Sequence, residues 1–233
     1  MLTLGLGIFR GVARRAIRMT THFQPLKSVL NLRAGVPSRD LKAQDVIPFI
    51  KSLDALADDA AAQALVLSPA CIVDGRVRCS QTAPILLTPQ LISRHKLEQG
   101  EVIVSARGEF VSGIYDKEAA VHAQGFHALA GPLCHVLTTQ EWSPVIPEFI
   151  VWLLGTDYAK QHMAAAARGS ATSLYSLETI GTLQVPILPA EKQKAIADAA
   201  KAARVLSEAR IALAAAESEA NNNELCRLAG ILS

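Results

Sequence analysis

Short apolar runs separated by turns occupy much of the chain before residue 190. Such runs are typical of buried strands. The clearest of them are ALVLSPACIV (64–73), RVRCS (76–80), APILLTP (83–89) and CHVLTT (134–139). EVIVSARGEFVSGIY (101–115) predicts a hairpin whose bend holds Arg107 and Gly108, and Asp74-Gly75 predicts a tight turn.

Helical patterns are fewer. A capping Ser52 predicts a helix from about Ser52 to Ala64, and Pro147 suits the first turn of another helix, which Gly155 weakens but need not end. Ser176 is placed to cap a short helix that precedes a strand at Leu183–Leu188. Mixed strands and helices of this kind predict an α/β (α+β) domain.

From Ala190 to about Ala220 the chain has neither glycine nor proline, which predicts one long helix. Apolar positions recur in it at alternating spacings of three and four, as in a coiled-coil seam. They are Ala199, Ala202, Leu206, Ala209, Leu213, Ala216 and Ala220. Asn221-Asn222-Asn223 then ends the helix or allows a turn. The seam favours a second helix as its partner; the alternative is packing along the helix's own domain.

Charge changes this picture only locally, because the net charge is +2 over 233 residues. Between Met1 and Gln44 the basic residues face a single acid, Asp40. They are Arg10, Arg14, Arg15, Arg18, Lys27, Arg33, Arg39 and Lys42. Such a region suits a protein that meets phosphate on one face, and it equally suits a solvated surface. No apolar run approaches the ~20 residues that cross a bilayer.

Residues 1–19 are expected to be a basic N-terminal extension of the folded domain. Their charges follow the apolar stretch rather than precede it, unlike a secretory signal. The segment resembles an organelle transit peptide or a membrane-surface helix, but a disordered extension is the favoured interpretation. The four cysteines show no CxxC pair, which indicates reduced thiols in a cytoplasmic protein.

Several stretches in order resemble a type I restriction–modification specificity subunit. They are FQPLKSVLNLRAGVP, LEQGEVIVSARGEF, PEFIVWLL, the Gly169-Ser170 turn, LQVPILP, and AEKQKAIA with Glu191 and Gln193 at the family's E-Q pair. The tryptophan often found near the start of such a domain is missing. The resemblance implies a target recognition domain at 20–189, a long pairing helix at 190–221 and a tail at 222–233.

Family members usually hold two recognition domains and two long helices, whereas this chain has one of each. The resemblance therefore implies a half-size subunit whose two copies pair their helices antiparallel and read a two-part site on double-stranded DNA. It also implies an adenine methyltransferase partner that holds S-adenosylmethionine, with or without a restriction subunit. This chain would itself be non-catalytic and carry no cofactor.

Candidate DNA contacts lie on predicted loops and strand ends, where basic side chains anchor phosphates or read base edges and glycines permit close approach. They are Arg76, Arg78, Arg94, Lys96, Arg107, Gly108, Arg168, Gly169 and Ser170. Arg107 and Arg168 are favoured, because each adjoins a glycine within an element that resembles the family. A solvated surface charge is the alternative at each position.

Other chemistry finds little support. His122, His127, Cys134 and His135 lie close in sequence, but their spacing fits no usual zinc finger, and no metal is expected. The sequence has neither a catalytic tetrapeptide of the Asn-Pro-Pro-Tyr type nor a glycine-rich cofactor loop after a strand. The rival to DNA reading is a scaffold that uses the same fold to dock a protein.

Overall fold

The computed structural model describes residues 22–42, 62–79, 82, 84–117, 126–166 and 174–229. Strands and helices alternate along this part of the chain. The strands are β1 (His22–Pro25), β2 (Leu30–Ala34), β3 (Ala62–Leu67), β4 (Ile72–Val73), β5 (Arg76–Val77), β6 (Ile85–Leu87), β7 (Val102–Ser105), β8 (Ser112–Ile114), β9 (His127–Ala130), β10 (Cys134–Thr139) and β11 (Gln184–Ile187). The helices are α1 (Leu26–Val29), α2 (Ser38–Lys42), α3 (Pro89–His95), α4 (Pro147–Leu154), α5 (Asp157–Ala166), α6 (Leu177–Gly181) and α7 (Ala190–Leu228), with a 3₁₀ turn at Pro69–Cys71.

The described strands form three sheets. The largest has six strands in the order β2-β10-β7-β8-β5-β4, antiparallel except for the parallel pair β5–β8. A second sheet has the order β6-β3-β9, with β3 and β9 parallel, and β1 pairs with β11. The β7–β8 hairpin places Val102 opposite Ile114 and Val104 opposite Ser112.

The six-stranded sheet is the middle layer of the domain. All four residues of β7 are buried, and successive side chains of a strand point to opposite faces. Val102 and Val104 pack in a cluster with Phe149 of α4, whereas Ile103 packs in a cluster with Leu67 of the three-stranded sheet. Helices therefore cover one face and the small sheet covers the other, which explains the unbroken apolar run in β7.

The long helix α7 is attached to this domain at its first turns by Gln193, whose side chain is fully buried. Its Nε2 donates to the carbonyls of Pro144 and Leu188 at 2.6 and 2.8 Å. Its Oε1 accepts from the backbone N–H of Ile146 at 3.0 Å. One side-chain amide thus joins the loop before α4, the end of β11 and the first turns of α7, from residue 190 to 197, which we call its root. Ala197, one turn later, is also buried.

Most elements predicted around the hairpin and the C-terminal part are confirmed. The strand CHVLTT is β10, and the Arg107-Gly108 bend joins β7 to β8. Ser176 caps α6 by accepting from the N–H of Thr179 at 3.0 Å, and β11 follows. The predicted mixed α/β domain with one long C-terminal helix is confirmed as the fold class.

The structure corrects where three predicted helices end. The Ser52–Ala64 helix lies largely outside the described residues, but its last residues belong to β3, which begins at Ala62. Gly155 does end α4, because Thr156 caps a new helix with its hydroxyl near the N–H of Ala159 (3.4 Å). The long helix does not end at Asn221–Asn223 but continues to Leu228, since a favourable helix tolerates three asparagines.

Replacing Gln193 tests how α7 is held. Gln193→Glu keeps the acceptor but loses both donors and buries a charge, so the free energy of unfolding should fall by about 3 kcal/mol or more. Chemical denaturation measures it. The matched control is Glu191→Ala, at an exposed position on the same turn. It should lower the free energy of unfolding by only a few tenths of a kcal/mol. Equal, small effects of both substitutions would contradict the role assigned to Gln193.

Candidate nucleic-acid interface and partner helix

The turn that carries Arg107 is held rigidly from inside. Ser105, fully buried at the end of β7, donates its hydroxyl hydrogen to the carbonyl of Glu109 at 2.6 Å and accepts from the N–H of Val111 at 3.0 Å. Gly108 adopts a φ of +82°, which glycine takes without strain, and the space beside it is open. Arg107 is therefore presented, exposed, on a fixed turn.

A second segment is bonded to this turn. The hydroxyl of Tyr175 donates to the carbonyl of Gly108 at 2.9 Å, and its ring meets that of Phe110 edge-on at 5.0 Å. The backbone of Leu174 bridges Arg107. The predicted residues Arg168, Gly169 and Ser170 lie outside the described residues. The described chain resumes at Leu174, beside the Arg107 turn.

His135 adjoins the same segment. Its Nε2 lies 2.7 Å from the carbonyl oxygen of Tyr175, and a carbonyl only accepts, so Nε2 carries the proton. Nδ1 is buried and has no hydrogen-bond partner in the described part of the chain. Burial lowers the pKa of His135, and the bond to Tyr175 opposes that shift. The neutral imidazole is thus a structural support of the turn.

Arg76 and Arg78 lie elsewhere, in a cleft of about 870 Å³ between the β4–β5 hairpin and the root of α7. Asp74 and Gly75 form the hairpin turn with φ of 52° and 75°, and a Cβ at Gly75 would overlap the guanidinium of Arg204. The turn therefore packs on α7. Acids and bases both line the cleft: Asp74, Arg76, Arg78, Asp116, Glu148, Lys194, Asp198, Lys201, Arg204 and Glu208. It is not a purely basic surface.

Arg94 and Lys96 occupy a third place, the end of α3. Lys96 pairs with Glu98 at 2.8 Å. The carbonyls of His95 and Lys96 accept from Arg33, whose guanidinium also pairs with Glu101 at 2.8 Å. Glu101 is 5% exposed and further accepts from the hydroxyl of Thr138 and the N–H of Glu98. This ion pair links α3 to the central sheet; sequence analysis noted Arg33 only as part of a basic region.

Three cysteines lie in the core between the two sheets. Burial raises the pKa of Cys79 to about 11 and that of Cys134 to about 12, and nearby Cys71 contributes in both cases. Neutral buried thiols are poor nucleophiles and poor metal ligands. Among the described residues no group of three or more His, Cys, Asp or Glu is placed to hold a metal ion, and His122 lies outside them.

Beyond its root, α7 leaves the domain. From Lys201 to Asn223 every residue is exposed except Arg204, which is half-buried, so the alternative that the helix packs along its own domain is wrong. All seven predicted seam positions are exposed. Ala202 follows the buried Ala197 by five residues, and five residues turn a helix by about 140°. The seam therefore lies on the side of α7 opposite Gln193 and Ala197. No described helix is long and apolar enough to cross a membrane.

A second apolar stripe on α7 was not predicted from the sequence. Ile211 and Leu225 are 68% and 64% exposed, and each lies a multiple of seven residues from Arg204, on the side that faces the domain at the root. Leu206 and Leu213, at 53% and 60%, lie on the seam. Counting heptad positions on both sides of the helix would have found Ile211 and Leu225.

No family model and no curated protein matches the sequence. Among solved structures, the HsdS subunit from Thermoanaerobacter tengcongensis has a TM-score of 0.56 at 14% identity, over 90% of this chain and 43% of that one. A chain from a structure on complex assembly and conformational transition of the type I restriction–modification system has a TM-score of 0.57 at 12% identity, over 90% of this chain and 44% of that one. The type IIG restriction endonuclease BpuSI has a TM-score of 0.50 at 12% identity, over 77% of this chain and 26% of that one.

The chain has the fold of a type I specificity subunit. At these identities the likeness establishes the fold alone, and the resemblance noted in the sequence is confirmed at that level. The chain spans less than half the length of the two type I subunits that it matches.

Titration of His135 predicts how acid affects the specificity-subunit fold. The pKa of His135 is lowered in the folded chain. Just below about pH 6.5 the unfolded chain therefore binds a proton that the folded chain does not, so the free energy of unfolding decreases as the pH is lowered. His135→Gln keeps a donor for Tyr175 and removes the titration. Urea denaturation at about pH 7.5 and about pH 5.5 should show a smaller loss in the variant.

A second histidine, His95, also contributes to the effect of acid on stability. Burial also lowers its pKa, with Arg33 and Arg94 contributing, so a residual acid effect remains in His135→Gln. An undiminished loss of stability in the variant would contradict the role assigned to His135.

Proposed function

We propose that this chain is the non-catalytic DNA specificity subunit of a type I-like restriction–modification complex. The observation that carries the proposal is the combination of a specificity-subunit fold with a helix whose apolar seam has no partner in the described chain. A fold in which so much apolar surface stays in water is stable and soluble only when another helix covers it.

The DNA-reading surface centres on the Arg107 turn in this proposal. Arg107 is exposed on a backbone pinned by Ser105 and Tyr175, and the described chain resumes beside it at Leu174, four residues after Ser170. A rigid arginine can read guanine with two hydrogen bonds or anchor a phosphate. Arg76 and Arg78, in the mixed cleft against α7, are weaker candidates, and so are Arg94 and Lys96 at the end of α3.

Two copies pair through the seam of α7 in an antiparallel arrangement. A two-fold axis then places the recognition domains at opposite ends of the helix pair, so that they read the two parts of one site on double-stranded DNA. Close approach of the alanines at the seam positions permits tight packing, with Leu206 and Leu213 adding buried area.

An adenine methyltransferase is the proposed partner of the paired helices, with or without a restriction subunit. Two helices that pack through the seam leave the stripe of Ile211 and Leu225 uncovered on the outer side, and we assign that stripe to the methyltransferase. S-adenosylmethionine belongs to the methyltransferase in this arrangement. The complex acts where the genome lies, in the cytoplasm.

Gel-shift titration of the purified chain, alone and with a methyltransferase encoded by a neighbouring gene, tests the proposal. We expect duplex binding that weakens steeply between about 50 and 200 mM salt. Arg107→Ala should weaken binding about tenfold. Lys160→Ala removes an exposed charge from α5 and serves as the matched control.

The rival scaffold function makes the opposite prediction. It requires partner binding that is insensitive to salt and to Arg107→Ala. Absence of salt-sensitive duplex binding, both alone and with the methyltransferase, would refute the DNA-reading function.

A further inference from the structure

Exposed large apolar side chains in the globular part are few, and two of them share one place. Among the described residues before α7 they are Phe23, Val73, Leu133, Trp142, Tyr158 and Leu174. Leu133 is 47% exposed and Leu174 is 60% exposed, and both are bonded through their own or the adjacent backbone to the turn of Arg107. This coincidence singles out the turn.

Backbone hydrogen bonds hold the segments of both leucines against the turn. The N–H of Ala106 donates to the carbonyl of Leu133 at 2.8 Å, and the carbonyl of Ala106 accepts from the N–H of Tyr175 at 2.9 Å. Both segments are therefore hydrogen-bonded to the same residue, Ala106, which directly precedes Arg107.

The loop of Leu133 is closely packed from below. A Cβ at Gly131 would lie 2.7 Å from the carbonyl oxygen of Leu67, and a Cβ at Gly35 would overlap the carbonyl oxygens of Ala130 and Gly131. The loop therefore has little freedom to fold Leu133 inward. Leu133 therefore stays exposed beside Arg107, where a bound molecule could contact it.

We propose that Leu133 and Leu174 contact thymine methyl groups in the major groove beside the position read by Arg107. The thymine C5-methyl is the apolar group that the major groove offers, and aliphatic side chains recognise it by contact. Arg107, beside the leucines, supplies positive charge of the kind that a DNA surface requires. This inference rests on the proposed DNA-reading function and adds a base preference to it.

The test uses the full-length chain, with the methyltransferase where binding requires it. Duplexes are first selected from a random-sequence library by the wild-type protein and then prepared with either thymine or deoxyuridine, which lacks the methyl group. Wild-type protein should bind the deoxyuridine form more weakly, by about fourfold for each methyl contacted. The double variant Leu133→Ala, Leu174→Ala should bind the two forms equally.

Two control proteins separate contact from folding. The double variant Leu133→Met, Leu174→Met keeps apolar surface and should still prefer thymine. Phe23→Ala removes an exposed apolar side chain from β1, well away from the turn in the sheet order, and should leave the preference unchanged. Thermal unfolding of each variant verifies that the fold is retained.

Each other outcome is decisive. Equal wild-type affinity for both forms, with salt-sensitive sequence-specific binding intact, overturns the leucine contacts and leaves the DNA-reading function standing. Loss of methyltransferase assembly in the alanine variant, with thymine preference retained, overturns them in favour of a protein-docking patch. Absence of salt-sensitive DNA binding altogether refutes the proposed function and this inference with it.

Discussion

The side-chain amide of Gln193 sets the relation between the two parts of this protein. A buried primary amide must satisfy two donor hydrogens and an acceptor oxygen, and here three backbone groups from two different loops do so. Those groups define one orientation for the first turn of α7. The rest of the helix inherits its direction from that turn, because a helix is stiff over this length.

This constraint explains why α7 has two apolar stripes in water. The buried Gln193 and Ala197 face the domain, so the seam of Leu206 and Leu213 must face away from it. The domain covers only the root, so the stripe that continues to Ile211 and Leu225 emerges beyond it uncovered. In the proposed complex the seam meets a second copy and the other stripe meets the methyltransferase. A single helix then joins three proteins.

Much of the fold followed from local patterns. The Asp74-Gly75 and Arg107-Gly108 turns, the Ser176 cap and strand β10 each depend on residues that are neighbours in sequence. The break at Gly155 depended on a cap by Thr156 that competes with helix continuation, and sequence periodicity does not weigh that competition. Gln193 was noted as part of a resemblance, but its partners lie up to 49 residues away.

The candidate site shows the same division. The Arg107 turn was predicted from its glycine, whereas its supports Ser105, Tyr175 and His135 come from separate elements. Arg76 and Arg78 were grouped with Arg107 because all are basic residues near predicted turns. The folded chain instead places them in a cleft against α7, a tertiary relation that no local pattern carries.

Light scattering of the full-length chain, across a range of concentrations and with the methyltransferase added, tests the central claim most directly. If α7 projects from the domain at Gln193 as a pairing surface, the particle in solution contains two copies of the chain. The double variant Leu206→Glu, Leu213→Glu should then have the mass of a single copy. A single-copy mass for the wild-type chain under every condition would contradict the account.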